Sequence, residues 1–125
     1  MPRILLIDDN APFRGMLQKV LEHAGYEVET ASNGKTGLKL YRENPSDLII
    51  TDLVMPEKEG LETIMELRRT TPCVKILAIS GGGRLKPHVN LVMAEKLGAA
   101  KSVAKPFSHQ EILDAVAEIL KRGEK

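Results

Sequence analysis

The chain has one cysteine, Cys73, so no internal disulfide can form, and a reducing cytoplasm is the compartment that fits. Neither sign of charge dominates. Lys and Arg total 18 against 17 Asp and Glu, which leaves no electrostatic footprint for nucleic acid and no polybasic patch for a membrane surface. Long apolar runs are missing too. Runs such as residues 4–7 and 48–50 are only a few residues long, whereas a spanning helix needs about 20 apolar residues in a row. Met1 is followed by Pro-Arg rather than by a basic stretch and an apolar signal core. No repeat, linker or low-complexity stretch breaks the pattern, so 125 residues read as one soluble domain over 1–125, long enough to bury roughly two-thirds of its unfolded surface.

What remains is a regular alternation. Residues 3–7 form a short aliphatic run that reads as a strand buried on both faces, the pattern of a parallel sheet. Phe13, Met16, Leu17, Val20, Leu21 and Ala24 then fall on one helical stripe, closed by Gly25. A strand over 26–31, a Ser-Asn-Gly turn and a helix over about 35–43 make a second unit, ended by Asn44-Pro45. Residues 48–51 are a third strand, followed by a loop over 56–60 and a helix carrying Leu61, Ile64, Met65 and Arg68. Residues 74–79 are a fourth strand ending at Ser80, then a triple-glycine connection and a helix over roughly 87–97. A short strand over 101–104 leads to Lys105-Pro106, and Ser108 with Glu111 forms a capping box for a last helix bearing Ile112, Ala115, Val116, Ile119 and Leu120. Five strand-then-helix units predict an α/β fold: a doubly wound five-stranded parallel sheet, (βα)5, with helices on both faces in three α/β/α layers.

In such sheets function collects at the carboxyl ends of the strands. There the sequence places Asp8 and Asp9, Asp52, Ser80 and Lys105. Three carboxylates in one place repel unless a cation sits among them, and an all-oxygen donor set suits Mg²⁺, which takes one or two carboxylates plus a phosphate. A lysine and a hydroxyl beside that cation are placed to pair the oxygens of an incoming phosphoryl group. One carboxylate can then act as nucleophile and become an aspartyl phosphate. Asp52, on the central strand, is the choice.

These residues, together with the Thr51-Asp52-Leu53-Val54-Met55-Pro56 stretch, Gly60 and Lys105-Pro106-Phe107, resemble the receiver-domain signature of two-component response regulators over essentially the whole chain. The resemblance implies a flavodoxin-like fold with strand order 2-1-3-4-5, an order known for a chemotaxis receiver. It implies that Asp52 is the phosphoacceptor and a Mg²⁺ ligand, Asp9 a direct Mg²⁺ ligand, Asp8 a ligand through water and the Val54 carbonyl a further ligand. Ser80 and Lys105 would hold the phosphoryl oxygens, and the Lys105-Pro106 bond would be cis. The implied donor is a sensor histidine kinase or a histidine phosphotransfer protein, and the implied output is a surface that switches toward a downstream protein. One position departs from the family. Ser102 stands where receivers usually carry an aromatic that swings inward, which points to the loop after Ser80 as the route of the signal.

Plainer readings stand beside these. Asp8 and Asp9 precede a helix and fit an N-cap. Asp52 fits a turn residue. Gly81 to Gly83 invite comparison with phosphate-cradling loops, but no Gly-Lys-Ser/Thr ending follows. His23, His88 and His109 lack metal-ligand spacing, Met55 and Phe107 read as packing residues, and Cys73 reads as a buried or partly buried thiol. Rival functions are a Mg²⁺-dependent phosphohydrolase, a flavin or nucleotide binder on the same fold, and a receiver that binds partners without being phosphorylated.

Overall fold

The structure, a computed structural model, is described over residues 2–52, 59–71, 73–80, 99–104 and 107–122. For residues 59–61, 80, 104 and 122 the backbone alone is described. The strands are β1 (Arg3–Ile7), β2 (Glu27–Ala31), β3 (Leu48–Asp52), β4 (Ile76–Ser80) and β5 (Lys101–Ala104). The helices are α1 (Ala11–His23), α2 (Gly34–Glu43), α3 (Glu59–Thr70) and α4 (His109–Arg122). The helix expected over 87–97 lies outside the described residues.

All four strand pairings are parallel, in the order β2-β1-β3-β4-β5. Successive side chains of a strand point to opposite faces, and here each face meets its own core. Leu5 and Ile7 of β1, Ile49 of β3 and Ile76 and Ala78 of β4 pack with Tyr41 of α2 and Ile64 and Leu67 of α3. Ile4, Leu6, Leu48, Ile50, Leu77 and Ile79 pack with Leu17 and Leu21 of α1 and with Ile112, Ala115, Val116 and Ile119 of α4. Burial on both faces is why the central strands are continuously aliphatic.

Local chemistry sets the helix ends. Asn10 caps α1, its side chain accepting from the Phe13 N–H at 3.0 Å, and Asn33 caps α2 by accepting from Thr36 N–H at 2.8 Å. The capping box is reciprocal: Glu111 N–H donates to Ser108 Oγ at 3.1 Å and Ser108 N–H donates to Glu111 Oε1 at 3.0 Å. α1 stops because Gly25 takes φ 102°, letting its N–H reach Glu22 O and Tyr26 N–H reach Leu21 O. α2 lies so close to the sheet that a Cβ at Gly37 would stand 2.8 Å from Ile7 Cγ1.

Three expectations change. Met16 is 37% exposed and Ala24 is exposed, because the buried stripe of α1 is centred on Leu17 and Leu21, with Phe13 and Val20 at its margin. Met65 is likewise exposed beside buried Ile64. Cys73 is exposed in the turn before β4 rather than buried, since the strand begins only at Ile76.

Candidate functional site

The sheet reverses its winding between β1 and β3. The chain leaves β1 through α1 on one face to reach β2, and it leaves β2 through α2 on the other face to reach β3. Loops that diverge in this way open a crevice at the carboxyl ends of the two central strands. The register pairs Ile7 with Thr51, so Asp8, one residue beyond β1, comes level with Asp52 at the end of β3.

One carboxylate oxygen from each of Asp8, Asp9 and Asp52 lies within 4.8 Å of the other two. Asp8 and Asp52 are buried, at 1% and 3% exposure, whereas Asp9 is open to solvent. Carboxylates gathered this closely repel one another, least where Asp9 is solvated. Folding accepts this cost because the aliphatic strands carry the acids to the crevice. Oxygen-only donors, crowded and partly buried, fit a hard divalent cation that retains water, and Mg²⁺ matches that description.

The capping alternative for the two adjacent acids does not hold. Asn10 is the N-cap of α1, which leaves both carboxylates to the crevice. Asp8 is held from three sides: its N–H donates to Ala31 O at 3.1 Å, its Oδ1 accepts from Asn10 N–H at 2.9 Å, and its carbonyl accepts from Arg14 Nη1 at 2.7 Å. The sequence reading missed Asn10 and Arg14. Asn10 was visible as a favoured capping residue, and Arg14 as a cation only four residues into a helix whose first turn contains no acid.

Ser80 ends β4 and pairs with Ala104, the last residue of β5, so the two strands reach the crevice edge together. The Ser80 side chain is not described. Val54, Lys105, the Lys105-Pro106 bond and the loop after Ser80 lie outside the described residues. Ser102 is half-buried on β5 and lines a surface cavity of ≈ 490 Å³ with Lys101, Val103, Glu111, Asp114, Ala115 and Glu118. Phe107 is a packing residue, edge-to-face against Phe13 with ring centroids 5.9 Å apart.

Known proteins agree with this architecture. The family model of the response regulator receiver domain matches residues 4–117. Chemotaxis protein CheY of Thermotoga maritima is 33% identical over 120 residues, 95% of this chain and 98% of that protein. Transcriptional regulatory protein AfsQ1 of Streptomyces coelicolor is 36% identical over 126 residues, spanning 100% of this chain and 54% of that protein. Beside the transcriptional regulators it matches, the chain thus spans about half their length. The crystal structure of a response regulator receiver domain protein from Clostridium thermocellum superposes with a TM-score of 0.89 at 31% identity, covering 98% of this chain and 96% of that one. No described helix is long and apolar enough to cross a membrane. With the doubly wound sheet, its strand order and its acidic crevice all in agreement with that match, the chain belongs to the response regulator receiver domain family of two-component signalling.

Proposed function

We propose that Asp52 accepts a phosphoryl group from a phosphohistidine of a sensor histidine kinase or a histidine phosphotransfer protein, and that the domain thereby switches a surface read by a downstream protein. The convergence of Asp8, Asp9 and Asp52 supports this reading above all else. A carboxylate oxygen of Asp52 attacks phosphorus in line with the departing imidazole nitrogen. The O–P bond forms, the N–P bond breaks, and the nitrogen keeps the electron pair and takes a proton from water. Asp9, Asp52 and the Val54 carbonyl would hold Mg²⁺, with Asp8 reaching it through water. Mg²⁺, when bound, neutralises charge that develops on the phosphoryl oxygens. The Ser80 hydroxyl donates to one of those oxygens and Lys105 pairs with another. The domain is a cytoplasmic phosphoacceptor over residues 1–125, with slow self-hydrolysis and no turnover of a free substrate.

Ser102 favours a second reading, a receiver that binds partners without phosphorylation. A serine cannot fill an aromatic-sized pocket, and in this chain a surface cavity of ≈ 490 Å³ adjoins it. Intact mass after incubation with acetyl phosphate, with and without Mg²⁺, separates the two. The phosphoacceptor reading expects one added phosphoryl group in the wild-type chain with Mg²⁺ and none in Asp52→Asn. Absence of labelling in both would leave the binding module.

A further inference from the structure

We infer that Arg14 is a positioning residue for the divalent-cation site, acting through the main chain of Asp8. The inference rests on the cation-binding reading of the three acids. Arg14 takes no part in the phosphotransfer step, yet the residue is half-buried and donates from Nη1 to the Asp8 carbonyl at 2.7 Å. A cation this near the start of α1 stands against the helix dipole, so its placement needs a compensating partner, and the Asp8 carbonyl is one.

The bond closes a small ring. Arg14 N–H donates to Asn10 O at 2.8 Å, Asn10 N–H donates to Asp8 Oδ1 at 2.9 Å, and the Arg14 side chain returns to Asp8 O. The start of α1 thereby fixes both the peptide that joins Asp8 to Asp9 and the carboxylate of Asp8. Without the guanidinium, the carbonyl that anchors the Asp8–Asp9 peptide to α1 is released, and the peptide can rotate. Such a rotation turns the Asp9 carboxylate relative to Asp8 and Asp52, which costs affinity for an ion that demands near-octahedral oxygens.

The sign of the effect distinguishes positioning from charge. A guanidinium near a cation site repels the cation, so by electrostatics alone Arg14→Met would tighten Mg²⁺ binding. Positioning predicts the reverse. We expect Arg14→Met to weaken Mg²⁺ about ten-fold by titration calorimetry on the full chain, as loss of an outer-shell partner does at other metal sites, with Arg14→Lys, which keeps a donor and the charge, restoring most of it. Melting in chelator accompanies the titration. Mg²⁺ affinity unchanged or tighter in Arg14→Met would overturn the role, as would a lower metal-free melting temperature with unaltered affinity, the mark of a purely structural residue. If the wild-type chain itself binds no Mg²⁺, the cation-site reading and the role of Arg14 fall together, whereas a wild type that binds and an Arg14→Met that binds equally well removes Arg14 alone.

Discussion

The two ends of the sheet handle acidic residues in opposite ways. At the amino end, Arg3 gathers them. Its Nε is 3.1 Å from Glu27 Oε1 and its Nη2 is 3.9 Å from Glu29 Oε1, while Nη1 donates to Asn44 Oδ1 at 2.9 Å and to Pro45 O at 3.1 Å. Asp47 completes the arrangement, accepting from Arg3 N–H at 2.7 Å and donating its own N–H to Arg3 O at 2.8 Å. At the carboxyl end, Asp8, Asp9 and Asp52 are brought within 4.8 Å of one another. Charge is neutralised at the end that joins β1, β2 and the approach to β3, and concentrated at the end where the crevice opens. A fold optimised for stability alone would treat both ends like the first, and strain of this kind gathers at functional sites.

Substitutions can break that contrast, and Asp52→Asn should do so most. It removes one of three mutually repelling charges, so in chelator it should melt several degrees above the wild type, while added Mg²⁺ should raise the melting temperature of the wild type more than that of the variant. Equal shifts on Mg²⁺ addition would mean that Asp52 is not part of the cation site. Gly37→Ala comes next. The new methyl would press on Ile7, the residue that precedes Asp8, and overpacking of this kind costs roughly 1–3 kcal/mol in chemical denaturation. At the other end, Arg3→Met should cost only about 1 kcal/mol, because its partners Glu27 and Glu29 are 63% and 43% exposed and solvent screens these ion pairs. Acetyl phosphate labelling should be unchanged by Arg3→Met, and an altered labelling rate would show that the two ends are coupled.

The smallest effect concerns pH. Tyr41 is buried in the core, and burial pushes its phenol above 10.0, a shift that a hydrogen bond with Thr71 partly offsets. The folded state therefore holds this proton more tightly than the unfolded chain. Stability from the neutral phenol is fully present below about pH 10 and is lost as pH climbs from there through the raised value. Tyr41→Phe should accordingly flatten the alkaline limb of a melting-temperature profile, and an unchanged slope between pH 10 and the folded value would rule the phenol out as its origin.

Much of this was legible in the linear order of residues. The strands follow from aliphatic runs, and the capping box at Ser108 and Glu111 and the glycine stop after α1 were read from local chemistry alone. The acids of the crevice were legible because each directly follows or ends an apolar strand. Less so were residues whose role depends on what they face. Met16 and Met65 carry helical periodicity yet lie outside the buried stripe, since a few tens of degrees of helix rotation decide which margin is covered. β2 shows the same limit. Its own residues read as an ordinary strand, and the edge position, implied only by the family resemblance, leaves Glu27 exposed and its middle residues half-buried.

By itself the sequence determined the alternation of strands and helices, the helix ends and the candidate acids, because each of these rests on interactions within a few neighbouring residues. Tertiary structure alone decided that Asn10 rather than an aspartate caps α1, that Arg14 reaches back to the Asp8 carbonyl, and that carboxylate oxygens of Asp8 and Asp52, 44 positions apart, stand within 4.8 Å of each other. Those outcomes depend on side-chain direction and on the parallel register of β1 against β3, and register is selected by burial on both faces of the sheet at once, a condition no short stretch of chain contains.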